Sequence, residues 1–426
     1  MFRALYTLLI TLVSPFFLYS LLKKHADKPH IGKRWKEYFG FCAPVTHKQA
    51  DEIIWLHTVS VGEVLGASDF VRTLKKRYPN KTVVLTTTTT TGAQQAEKLG
   101  DLVEHRFMPL DFPWAIKRFI RTITPSQLLI METELWPNTL AVTHQQGIPI
   151  SIINARLSER SAQRYQKLAS LGRFLARHIH HIYCLHQDDA QRFAQLGFSH
   201  DQLSVTGSLK FDISISPEDK AAGSSLRNTI GQQRQVWIAA STHQGEDEIV
   251  LNAHQYLLEK YPDALLVLVP RHPERFQSVF ELVKQMKLRA VRRTQATEIG
   301  HDIQVYLADT MGEMKQLLAA CDICFMGGSL IGDKVGGHNL LEPAALGLPT
   351  ITGPSYFNFT DITNQLLAAQ ATVVCDSSDA ISQQLITLFN EPEKIAEQGA
   401  QAQQVVNRNR GSINNTLAGL FPHEES

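Results

Sequence analysis

The chain has 426 residues, room for two or three domains at roughly 100 to 200 residues each. Its 43% hydrophobic and 19% charged fractions exclude a disordered, collagen-like or multi-span membrane protein. With 42 Lys and Arg against 41 Asp and Glu the net charge is +1, which gives no global attraction to nucleic acid and makes any electrostatic function local.

Ala4 to Leu22 is a run of 19 uncharged, mostly apolar residues. At about 1.5 Å per residue such a helix just crosses a hydrocarbon core of about 30 Å. Thr7, Thr11, Ser14 and Pro15 dilute the run, so an interfacial helix is the second reading. A single Arg3 and the lack of a small-x-small site argue against a cleaved signal peptide. Lys23, Lys24, Lys28, Lys33, Arg34 and Lys36 follow, outnumbering Asp27 and Glu37, which places the remainder on the cytoplasmic side. Residues 1–36 are therefore expected to be a membrane anchor with a basic flank. Five scattered cysteines fit a reducing compartment.

From Ile53 short β-branched runs alternate with amphipathic helical stretches, the beat of a parallel sheet covered on both faces. Strands are expected at Ile53–Val59, Thr82–Thr86, Gln127–Met131, Ile148–Ile153, His181–Leu185 and Leu203–Thr206. The polar stretch with Ser-Pro-Glu-Asp-Lys-Ala-Ala-Gly-Ser-Ser interrupts it and reads as a linker over 213–230. The beat resumes at Val236–Ala240, Ala264–Val269, Gln304–Leu307, Asp322–Met326, Pro349–Thr352 and Thr372–Cys375. The expected fold is α/β, two Rossmann-like doubly wound domains facing a cleft, 37–212 and 231–426, the second ending in helices. In such sheets ligands sit beyond the carboxyl ends of the strands.

Several motifs carry no chemistry here. Cys321-Asp-Ile-Cys324 lies in an apolar strand and has no second ligand pair nearby. Gly327-Gly-Ser-Leu-Ile-Gly332-Asp333-Lys334 approaches a P-loop, but Asp333 stands where the lysine belongs. Asp188-Asp189 opens a helix and reads as capping rather than metal binding. The six threonines Thr86–Thr91 suit a hydroxyl-lined turn between a strand and Gly92.

The strand ends are more informative. His57-Thr-Val-Ser-Val-Gly-Glu63 sets Glu63 at a helix N-terminus, where it serves either as general base or as cap. Met131-Glu132-Thr-Glu134 places two carboxylates after a buried strand, one of them directed at ligand. Lys210 in Gly207-Ser-Leu-Lys-Phe-Asp212 either neutralises developing charge or is simply solvated. Pro270-Arg271-His272-Pro-Glu274 follows an apolar strand and fits a phosphate site. Thr310-Met311-Gly312-Glu313 and Gly336-Gly-His-Asn339-Leu340-Leu341-Glu342 each open a helix, with backbone N–H groups for a phosphate and Glu342 for ribose hydroxyls.

Together these motifs resemble the 3-deoxy-D-manno-octulosonic acid (Kdo) transferases of lipopolysaccharide synthesis. His57-x-x-Ser60-Val-Gly-Glu63, Met131-Glu-Thr-Glu-Leu-Trp-Pro-Asn138, Asn154-Ala-Arg-Leu-Ser158, Thr206-Gly-Ser-Leu-Lys-Phe-Asp212, Pro270-Arg-His-Pro-Glu274 and Gly336-Gly-His-Asn339 carry the resemblance. It implies a GT-B glycosyltransferase fold, with CMP-Kdo as donor and a tetraacylated lipid A precursor as acceptor. It also implies an enzyme at the inner membrane, in contact with its anionic lipids, with the catalytic domains on the cytoplasmic side. Glu63 then looks like the proton acceptor, assisted by Glu132 and Lys210. CMP contacts fall on Pro270, Arg271, Met311, Gly312, Glu313, Asn339, Leu340, Leu341 and Glu342. No metal and no cofactor is expected. Another nucleotide-sugar transferase or epimerase of this fold, or a non-catalytic membrane-anchored binding protein, is the alternative.

Overall fold

The computed structural model describes residues 2–22, 32–46, 52–167, 169–295 and 299–422. They fall into two units, Met1–Asp212 with Arg410–Ser426, and Ile213–Asn409.

The first unit is built on a seven-stranded sheet of β1 (Glu52–His57), β2 (Lys81–Thr87), β3 (Glu104–Phe107), β4 (Gln127–Met131), β5 (Ile150–Ala155), β6 (His181–Cys184) and β7 (Leu203–Val205). Its order is β3-β2-β1-β4-β5-β6-β7 and every pairing is parallel. Alternation along the strands divides the side chains between two cores. Trp55, Leu128 and Ile130 enter one, while Ile54, Leu56, Leu129 and Met131 enter the other. Each such side chain stabilises the fold by about 1.5–3 kcal/mol on burial.

The second unit repeats the plan with β8 (Val236–Thr242), β9 (Leu265–Pro270), β10 (Ala290–Arg292), β11 (Val305–Leu307), β12 (Ile323–Met326), β13 (Thr350–Thr352) and β14 (Thr372–Val374). Its order is β10-β11-β9-β8-β12-β13-β14, again all parallel. The strand order reverses between β1 and β4 in one unit and between β8 and β12 in the other. These are the switch points at whose carboxyl edge a doubly wound sheet binds its ligand.

Three expectations are corrected. The stretch expected to link the domains folds as the helix Pro217–Ile230, capped by the Ser216 hydroxyl, which accepts from the Asp219 N–H. Gly223 on this helix is buried against Gln316 and Ala319, so small residues that looked like linker are a packing face. The second domain, expected over 231–426, ends at Asn409; of the C-terminal stretch 392–420 that the helical pattern also suggested would pack back onto the first domain, only the part from Arg410 does so. The helix Ser412–Leu420 belongs to the first unit, where Ile413, Leu417 and Phe421 join the core of Val64, Phe70 and Leu74. Asp212 ties it there, its carboxylate accepting from the N–H groups of Gly411, at 2.5 Å, and Ile413.

The third correction concerns the anchor. Phe2–Leu22 is helical, but among the described residues no helix is long and apolar enough to cross a membrane. Its polar positions dock it on the first unit instead. The Tyr6 hydroxyl bonds Asp111, and the Asn138 amide donates to the Thr7 hydroxyl at 2.9 Å. Leu5, Leu8, Leu9, Leu12, Val13 and Phe16 stay exposed. Of the basic flank, Lys23, Lys24 and Lys28 lie outside the described residues. Arg34 is held within the unit by an ion pair with Glu37 at 2.8 Å and by the Phe107 ring.

Candidate active site

At the switch point of the first unit β1 passes into the helix Val61–Arg77. Val64, Ala67, Phe70, Val71 and Leu74 bury one face of that helix, and Lys75, Lys76 and Arg77 close it with charges that suit its dipole. Glu63 in the first turn folds back, its Oε2 accepting from the Val59 N–H at 2.8 Å and its Oε1 from the Ser60 hydroxyl at 3.3 Å. Capping does not leave this carboxylate an ordinary one. Burial, aided by the charges of Glu132 and Glu134, raises its pKa to about 7 against the lowering effect of the Val59 N–H.

Glu132 follows β4 with φ of 60°, a left-handed conformation costly for a residue with a side chain, and its N–H is fixed to the Ile153 carbonyl at 2.9 Å. Its Oε1 lies 4.0 Å from the Lys210 Nζ. Lys210 is set by the turn after β7. There Asn154, also left-handed at φ 54°, accepts the Leu209 N–H at 3.1 Å. The lysine stem runs past Gly66, where an added methyl would stand 3.8 Å from Lys210 Cε and 3.3 Å from Met131 Cε. Glu63, Glu132 and Lys210 are thus gathered at one edge of one sheet. Glu134 is turned toward Trp136, whose indole N–H donates to it at 3.1 Å. Trp136 packs edge-on against His57, which burial holds neutral with a pKa down to about 4 and which bonds the Thr86 hydroxyl at 3.0 Å. The threonine run therefore splits, Thr86 and Thr87 in β2 and Thr89 capping the next helix through the Gly92 N–H.

In the second unit the donor-site candidates also lie beyond strand ends. Pro270 closes β9, buried, and the Arg271 N–H donates to the Thr242 carbonyl at 2.9 Å, leaving its guanidinium exposed. Glu313 is engaged in a two-pronged bond with Arg293, at 2.6 and 2.7 Å, and with the Thr310 hydroxyl. Those bonds lower its pKa and make it the support of the exposed Met311-Gly312 turn. Asn339 accepts the Leu341 N–H at 3.0 Å, while the Leu340 and Leu341 side chains are core residues that offer a ligand only their backbone. Glu342 is half-buried.

The residue that organises this edge was not singled out from sequence. Glu246 is fully buried, and its carboxylate accepts from four backbone N–H groups, those of His243, Gly328, Ser329 and Leu330, at 2.6–2.9 Å. A carboxylate thus fills the glycine-rich turn in the manner of a P-loop phosphate. The signal was present, since Gly245-Glu246 follows the first strand of its unit as Gly62-Glu63 follows β1. Asp189 is likewise structural, accepting the Leu157 N–H at 2.8 Å. All five cysteines are free, and among the described residues no group of three or more His, Cys, Asp or Glu side chains is arranged to hold a metal.

Residues 33–213 match the family model described as 3-deoxy-D-manno-octulosonic-acid transferase, and residues 233–405 match group 1 glycosyl transferases. A UDP-GlcNAc 2-epimerase from Neisseria meningitidis resembles the chain with a TM-score of 0.57 at 14% identity, covering 87% of this chain and 100% of that one, a likeness of fold alone. Two parallel-sheet units of this kind have the GT-B fold, and the two family matches make the chain a glycosyltransferase of that class.

Within that class the comparison narrows. The 3-deoxy-D-manno-octulosonic acid transferase of Haemophilus influenzae is 39% identical across 100% of this chain and 99% of its own. The C-terminal CMP-Kdo binding domain of WaaA from Acinetobacter baumannii is 35% identical, covering 45% of this chain and 99% of that domain with a TM-score of 0.43. The chain belongs to the Kdo transferase family.

Proposed function

We propose that the protein transfers Kdo from CMP-Kdo to a lipid A precursor, with inversion, using Glu63 as general base. The observation that carries this reading is a carboxylate with a pKa near 7 at the switch point, flanked by Glu132 and Lys210. An acceptor hydroxyl attacks the anomeric carbon of Kdo and its proton passes to Glu63. The new C–O bond forms as the bond to the phosphate breaks, and the electron pair leaves with CMP. Lys210, steered by Glu132, offsets the negative charge of the donor carboxylate as the oxocarbenium-like transition state forms, and the Glu132 carboxylate suits the positive charge of that centre. Arg271, the Met311–Glu313 turn and the backbone at Asn339–Glu342 hold CMP. A guanidinium and backbone N–H groups can carry a leaving phosphate without a metal, so chelators are expected to leave the rate unchanged. Full-length identity to a Kdo transferase favours this reading over an epimerase or a binding protein.

The Phe2–Leu22 helix is assigned to the surface of the inner membrane on its cytoplasmic side, its exposed leucines facing the lipid. The test of the reaction is CMP release from CMP-Kdo by detergent-solubilised protein, with and without tetraacylated lipid A precursor, followed by mass analysis of the lipid. Acceptor-dependent release with a mass gain of one or more Kdo units is the expected result. A folded protein that releases no CMP, or a lipid of unchanged mass, overturns it.

A further inference from the structure

At the carboxyl edge of the second sheet two histidines from different loops meet. His243 follows β8, and His338 belongs to the Gly336-Gly337-His338-Asn339 turn. Their Nε2 atoms are 2.8 Å apart, the ring centroids 5.1 Å apart and the planes 13° from parallel. The centroid spacing equals the nitrogen contact plus the two ring radii, so the rings lie end to end, nearly in one plane, joined by a straight N–H···N bond. This is a built arrangement. Gly328 has φ of +71°, and a Cβ there would stand 2.9 Å from the His338 ring, while His243's own N–H is fixed by buried Glu246.

The proton count of such a pair sets what it shows to the outside. Two neutral imidazoles carry two protons; one is spent in the shared bond, so the accepting ring must carry the other on Nδ1. One outer nitrogen therefore donates and the other accepts, and the roles exchange only when the shared proton crosses while the accepting ring gives its Nδ1 proton to solvent and the other ring takes one up on its own Nδ1. Among the described residues no protein group bonds either Nδ1, and neither is sealed from solvent. The surroundings are cationic. Arg271 is exposed with no ion pair among the described residues, and His272 stands edge-on to His243 with centroids 5.2 Å apart. Arg275 is neutralised by Asp247, and Glu246 is occupied by its four N–H groups. Burial lowers the pKa of both rings, His338 to about 4; at His243 the Glu246 carboxylate works against this, while His272, Arg275 and Arg271 add to it, so the pair stays neutral.

We propose that the His243–His338 pair is a further donor-binding element, giving a hydrogen bond from an outer Nδ1–H to the acidic group of CMP-Kdo, its phosphate or its carboxylate. The proposal rests on the donor site lying at Arg271 and Asn339. It is tested on the full-length protein by the affinity for CMP and the KM for CMP-Kdo in His243→Asn and His338→Asn, with Arg271→Ala as control. A lost hydrogen bond to a charged group predicts roughly a tenfold weakening, with kcat at saturating donor and KM for the acceptor within about twofold of wild type. The double variant should be no worse than either single one, because the two rings act as one unit.

Weakening of both CMP and CMP-Kdo identifies the phosphate as the partner. Weakening of CMP-Kdo alone identifies the carboxylate. If His338→Asn does not fold, His243→Asn decides, since its side chain is half-exposed. Folded variants that bind both ligands as wild type does overturn the proposal. If Arg271→Ala is then equally silent, the placement of the donor site fails with it, whereas a weakened Arg271→Ala beside silent histidine variants refutes the pair alone.

Discussion

Glu63 does two jobs that compete. As the cap of its helix it accepts from Val59 and Ser60, yet burial beside Glu132 and Glu134 makes its ionised form expensive and lifts its pKa from the usual 4.5 to about 7. The folded chain binds this proton more tightly than the unfolded one, so stability falls as pH rises from about 4.5 through about 7. Glu63→Gln removes the charge and keeps an acceptor for Val59. We predict a higher Tm than wild type at pH 8, with the difference vanishing below pH 5; equal Tm values at pH 8 would show that the carboxylate carries no such strain. The same side chain illustrates the limit of the sequence. Its position at a helix start was legible, but base and cap were indistinguishable there, because the difference lies first in its burial by the folded chain and then in Glu132 and Glu134, 69 and 71 residues away.

The glycine-rich turn after β12 depends on one buried carboxylate. Glu246→Ala leaves four backbone N–H groups, two of them buried, without their acceptor, at a cost of about 3–5 kcal/mol. Urea unfolding of the variant should show that loss, and a change below about 1 kcal/mol would mean the turn has another support. On the helix Val61–Arg77, Gly66 leaves room for the Lys210 stem, and an added methyl would stand in ordinary contact with it, 3.8 Å from Cε. Lys210→Met, which keeps the stem and removes the charge, should lower kcat at least tenfold with CMP affinity intact; an unchanged kcat would separate Lys210 from the chemistry. Twelve of the fourteen strands among the described residues were readable as apolar runs, as in Gln127-Leu-Leu-Ile-Met131. The two missed, β3 with Glu-His-Arg-Phe and β10 with Ala-Val-Arg, are short outer strands at the sheet edges, where charged residues and partial exposure blunt the pattern. The Pro217–Ile230 helix was read as linker because its buried face is made by Gly223 rather than by large apolar residues.

Over the whole chain, sequence order and spatial order part company at the ends. The last helix returns to the first unit through Asp212; the fold suggested such a return for 392–420, but periodicity does not encode the pairing that fixes its start at Arg410. At the other end, hydropathy described the Phe2–Leu22 segment but not its docking, which depends on single polar contacts of Tyr6 and Thr7. The exposed face predicts binding to vesicles containing anionic lipid. Leu8→Asp with Leu12→Asp should abolish co-sedimentation while CMP affinity is retained; undiminished co-sedimentation would assign the membrane contact elsewhere. The most direct test of the central claim is the pH dependence of kcat for Kdo transfer in wild type and Glu63→Gln. A base with a pKa of about 7 predicts a wild-type rate that rises with pH through 7 and then levels. In Glu63→Gln the rate should fall by about 10²–10⁴-fold and lose that dependence, with CMP affinity intact. A variant that turns over at the wild-type rate, or keeps the same pH profile, would contradict the account.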